Sequence, residues 1–82
     1  MIAATVKCLA SGSGLTLNKE YGALSLNVDG GNVKAVIVDD NGNAAGVNVD
    51  GSSFDLVEAF TVGNFNFFRS LSELKGDFKK TL

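Results

Sequence analysis

The stretch LNVDGGNVKAVIVDDNGNAAGVNVDGSSF, residues 26–54, holds three Asp/Asn/Gly clusters separated by two short apolar runs. DGGN (29–32), DDNG (39–42) and DGSS (50–53) recur at intervals of about ten residues. Between them, Val33, Val36, Ile37 and Val38 are β-branched, and Val47 and Val49 alternate with the polar Asn48. Branched side chains fit a pleated sheet, and Asp, Asn and Gly supply the tight reversals between strands. The pattern therefore predicts strands over 33–38 and 45–49, joined and flanked by sharp turns.

Two other readings of the acidic clusters fail on spacing. A calcium loop opening at Asp39 would have Ala44 where glycine is needed and Asp50 where a bidentate Glu is needed, between β-prone rather than helical flanks. The repeated NVDG at 27–30 and 48–51 shares almost nothing beyond those four letters, so turn chemistry explains it without a repeat architecture.

Working outward, Ala4, Val6 and Cys8 alternate with Thr5, Lys7 and Leu9 as in a half-buried strand, which SGSG (11–14) ends. Leu24, Leu26 and Val28 keep period two and predict a second strand. Over FDLVEAF (54–60), Phe54, Leu56 and Glu58 are expected on one face, against Asp55, Val57 and Ala59. Four or five short strands with turns every eight to twelve residues are the spacing of a small barrel or sandwich.

The last twenty residues differ. Phe65, Phe67 and Phe68 crowd GNFNFFR, and Leu71, Leu74 and Phe78 then take up helical spacing. Ser70 with Glu73 matches a capping box, and Lys75, Lys79 and Lys80 suit the C-terminal end of a short helix, which Gly76 weakens. One arrangement has Phe65 or Phe67 plugging the barrel with the helix laid across it. Another leaves some of Phe67, Phe68, Leu71 and Phe78 exposed beside Arg69 and Lys75, a composition common at binding hot spots.

Eighty-two residues suffice for a single domain (1–82), with strands over 4–60 and the Phe-rich segment and helix over 61–82. The net charge of −2 is uneven. Residues 1–68 carry three lysines against seven carboxylates, a net of −4, and residues 69–82 carry four cations against two carboxylates, a net of +2. An acidic body repels nucleic-acid phosphate, so nucleic-acid binding through a small barrel is the least favoured function.

With one cysteine and no histidine there is no intrachain disulfide, no ordinary zinc site, and no His base to activate Cys8, which is expected to be a small buried hydrophobe. Asp39 and Asp40 are adjacent in a turn rather than convergent, and SGSG lacks the Lys-Ser/Thr of a phosphate loop. No catalytic residue, cofactor or metal is expected. The first residues lack a basic stretch followed by an apolar run, and no apolar stretch approaches membrane-spanning length, so a cytoplasmic protein without a membrane partner is expected.

The order of motifs resembles a loose group of small tailed-bacteriophage proteins. Val6, Lys7 and Cys8 match the end of that group's first strand, and Leu15, Thr16, Lys19 and Tyr21 match its L-T-x-G-K-x-Y segment. Asp39, Asp40 and Gly42 match its D-D-x-G turn, and Phe54 and Val57 match its closing strand. Asn18 stands where the pattern has Gly; Asn also tolerates a left-handed backbone.

The resemblance spans residues 4–58 and implies an SH3-like barrel of about five strands, with no shared activity. The resulting expectation is a mainly β, SH3-like barrel with a short C-terminal α-helix, acting as a phage accessory protein in the host cytoplasm. It would bind and inhibit or redirect a host bacterial protein, of the transcription or defence machinery, through Phe67, Phe68, Arg69, Leu71 and Lys75, as a monomer or small homo-oligomer. A structural, self-assembling virion-associated role is the alternative.

Overall fold

In the computed structural model, residues 2–29, 31–61 and 67–74 are described. They form one six-stranded antiparallel sheet and one short helical turn. The strands are β1 (Ile2–Cys8), β2 (Glu20–Asp29), β3 (Asn32–Val38), β4 (Ala44–Asn48), β5 (Phe54–Thr61) and β6 (Phe67–Phe68). Their order is β4-β3-β2-β1-β5-β6. Strands β1 to β4 form a meander, and β5 returns to the free side of β1. The mainly β expectation is correct; β6 is a strand that the sequence pattern did not suggest, and residues 71–74 are helical.

The three acidic clusters are corners. The Asp39 carboxylate accepts the amides of Asn41 and Asn43, and Gly42 takes φ +85°. The Asp50 carboxylate accepts the amides of Ser52 and Ser53 next to Gly51 at φ +82°. These carboxylates hold backbone donors that the reversal would otherwise leave unpaired.

One face of the sheet supplies nearly all of the core: Ala4, Val6 and Cys8 from β1, Tyr21 from β2, Val33, Ala35 and Ile37 from β3, and Phe54, Leu56 and Ala59 from β5. Val49, Phe68 and Leu74 complete it. Val6, Ile37 and Leu74 are fully buried, each contributing about 1.5–3 kcal/mol. Cys8 is buried as well, its thiol directed at the Ala10 carbonyl at 3.2 Å.

Two β-bulges set which side chains reach that core. In β2, Ala23 lies opposite Ile37 and Ser25 opposite Val36, so Leu24 is an extra residue. The inward set is therefore Tyr21 and Ala23, then Leu26 and Val28, and Leu24 is 65% exposed. In the β1–β5 pair, Thr5 opposes Glu58 and Val6 opposes Leu56, leaving Val57 extra. Ala59 is consequently buried and Glu58 exposed, the reverse of the expected phase. A bulge adds one residue to one strand, which inverts the alternation beyond it and bends the strand. Both bends flank the central β1.

Candidate functional site

Two clusters of side chains stand out, and they differ in kind. The first joins the segment between β1 and β2 to the β3–β4 turn. Asp40 is its centre: Oδ2 accepts from the Thr16 hydroxyl at 2.6 Å, and Oδ1 accepts from Lys19 Nζ at 2.5 Å and from the Tyr21 hydroxyl at 3.0 Å. The Tyr21 oxygen in turn accepts the Thr16 amide at 2.9 Å, and the Asp40 amide donates to the Gly14 carbonyl at 2.8 Å. Lys19 Nζ also lies 5.2 Å from the centre of the Tyr21 ring.

Hydrogen bonds from Lys19 first, then Thr16 and Tyr21, hold the Asp40 carboxyl at about 2, below its ordinary 3.8. The same bond to Asp40 raises Lys19 above 10.5. Thr16, Lys19, Tyr21 and Asp40 are residues on which the phage-protein resemblance rests, drawn from two motifs and brought together by folding. Asn18, the departure from that pattern, takes φ +67°, a left-handed conformation that Asn tolerates. Every oxygen in this cluster is committed to holding loop against turn. We assign it to architecture.

The second cluster lies at the β5–β6 edge. Phe60 and Phe67 are directly opposed across the two strands, as are Ala59 and Phe68. Successive residues of a strand point to opposite faces, so Phe67 stands outward beside Phe60 and Phe68 points inward beside Ala59. Phe60 is 42% exposed and Phe67 50% exposed, and the Arg69 guanidinium lies 5.6 Å from the centre of the Phe67 ring.

The residues expected to bind a partner therefore separate. Phe67 and Arg69 are on the surface, Phe68 is buried in the core, and Leu71 is half-buried against the core; Lys75 lies outside the described residues, as do Phe65 and Phe78. Phe67 is thus no plug, and Phe68 offers no ring to a partner in this arrangement. Phe60 was missing from the expected set because unbroken alternation counts it among the inward residues of β5, and only the bulge at Val57 turns it outward.

The capping box takes a shifted form. The Glu73 amide donates to the Ser70 hydroxyl at 3.1 Å, and the Glu73 carboxylate accepts the amide of Arg69 rather than that of Ser70. This cap starts the turn that carries Leu74 into the core and fixes the backbone of Arg69 beside Phe67.

A cleft of about 390 Å³ opens between the β2–β3 turn and the end of β4, lined by Asn32, Lys34, Asn48 and Asp50 among others. Among the described residues, no three His, Cys, Asp or Glu side chains are grouped to share a metal ion, and no helix is long and apolar enough to cross a membrane. Comparison of the chain with family models, with curated proteins and with solved structures gives no match.

Proposed function

We propose that this chain is a non-enzymatic binding protein, of the kind a phage supplies to act on a host bacterial protein, and that the outward Phe60–Phe67 pair with Arg69 is its contact. The phage and host terms rest on the motif resemblance alone. The finer fold reading is an SH3-like barrel, supported by the strand order β4-β3-β2-β1-β5 and by bulges that bend β2 and β5 on either side of β1.

The observation that carries the binding role is two large rings left in water, side by side, next to a guanidinium. At roughly 200 Å² per aromatic side chain they expose about 180 Å² together. A stable interface covers about 800 Å² on each partner, so this pair is the anchor of a larger footprint rather than the whole of it.

The test is capture of a partner from bacterial lysate by the wild type, by Phe67→Ser and by Phe60→Ser, each first checked for an unchanged melting temperature. Loss of a defined captured protein with either folded variant is expected. Equal capture by wild type and both variants would place the contact elsewhere.

A further inference from the structure

Among the described residues, the backbone groups along the outer edge of β4 have no partner. The Asp39 amide donates to the Asn43 carbonyl and the Val49 amide to the Val33 carbonyl, which fixes the hydrogen-bonding phase of the β3–β4 ladder. In that phase the odd residues of β4 bond to β3, and the amides and carbonyls of Ala44, Gly46 and Asn48 point away from it. Among the described residues no strand lies on that side.

Natural edges are usually blunted by a charge, a proline or a bulge, and Ala44–Asn48 has none of these. Toward the β3–β4 turn the outer face beside the edge is apolar and low, and its other end carries Lys34 opposite Asn48. Val38, 43% exposed, pairs with Ala44, and half-buried Val36 pairs with Gly46, above which a Cβ would meet nothing within 4 Å.

We propose that this edge receives an extended segment of another protein as a seventh strand, with a bulky aromatic side chain opposite Gly46. The backbone groups of Ala44, Gly46 and Asn48 would supply the pairing, and the shelf of Val36 and Val38 would select the side chain. A large ring facing an edge glycine covers the space that the glycine leaves open. A second copy of this chain fits less well: antiparallel pairing centred on Gly46 would set glycine against glycine and leave both valines uncovered. This surface is separate from the Phe60–Phe67 pair, so the two proposals stand or fall independently.

The probe is the capped peptide acetyl-Lys-Val-Thr-Phe-Thr-Val-Lys-amide, titrated into ¹⁵N-labelled protein. Saturable shifts confined to Ala44–Asn48 and its β3 neighbours are expected, with exchange of the Gly46 amide slowed at least tenfold. Gly46→Pro removes an outward donor without breaking the β3 ladder and should abolish the effect. The same peptide N-methylated at Phe should bind at least tenfold more weakly to the wild type, a control that does not depend on the variant's folding. Shifts that avoid β4, or binding indifferent to both changes, would overturn the proposal. Dimerisation without peptide that Gly46→Pro abolishes would overturn the choice of occupant in favour of a second copy.

Discussion

Replacing Tyr21 by Phe removes one oxygen from the joint between loop and turn and leaves the ring in place. That ring is 5% exposed and packs edge-on against Phe54 at 6.2 Å, so no large cavity is created. Two hydrogen bonds disappear: the one received from the Thr16 amide and the one given to the Asp40 carboxylate. A neutral bond contributes about 0.5–1.5 kcal/mol and a bond to a charged group about 1.5–3 kcal/mol. Asp40 is reached by water and keeps Thr16 and Lys19, so the low ends apply and the expected loss is about 2 kcal/mol. A domain of this length has only about 4–12 kcal/mol in total, and the loss corresponds to a fall of about 8–16 °C in Tm. Urea unfolding followed by circular dichroism should show a lower midpoint with an unchanged m-value. A loss below about 0.5 kcal/mol would refute the idea that this oxygen ties the two segments together.

Three further outcomes follow from the same geometry. The folded-state pKa of Asp40, about 2, lies below its ordinary 3.8, so its contribution is fully present above pH 4 and fades as pH falls toward 2. The stability gap between wild type and Asp40→Asn should therefore narrow across that window in pH-dependent unfolding, and a constant gap would contradict the assignment. Gly14 takes φ +75°, and an added Cβ would stand 3.0 Å from Asp39 Oδ2 and Asn41 Nδ2. Gly14→Ala should cost about 1–2 kcal/mol in urea unfolding, whereas Asn18→Gly, which relieves a left-handed non-glycine, should be neutral or slightly stabilising. Leu24→Lys should change stability by less than about 0.5 kcal/mol because the bulge already turns Leu24 to solvent, while Leu56→Lys should prevent folding.

The corners and strands were legible in the sequence because both are local. Gly42 and Gly51, with the carboxylates of Asp39 and Asp50, make turns from residues within four positions of one another. Val33, Val36, Ile37 and Val38 announce β3 by their branched side chains, a preference each residue carries by itself. Ser70 and Glu73 likewise marked the helical turn, three residues apart.

What only the tertiary structure decided were relations between distant strands. A bulge is defined by the partner: Leu24 and Val57 are extra only because β3 and β1 lack a residue opposite them, and nothing in ALSL or DLVE marks the place. Two such insertions inverted the expected faces, burying Ala59 and freeing Leu24. The one at Val57 also turned Phe60 outward to meet Phe67, while pairing with β5 sent the adjacent Phe68 inward. The candidate contact became Phe60, Phe67 and Arg69 instead of Phe67, Phe68, Arg69, Leu71 and Lys75. Asp40 likewise met Thr16, Lys19 and Tyr21 only after the meander folded. The sequence by itself determined that the chain would reverse at its acidic turns and pleat between them; strand register decided which rings reached water, because side-chain direction in a sheet is set against a neighbour that local pattern does not contain.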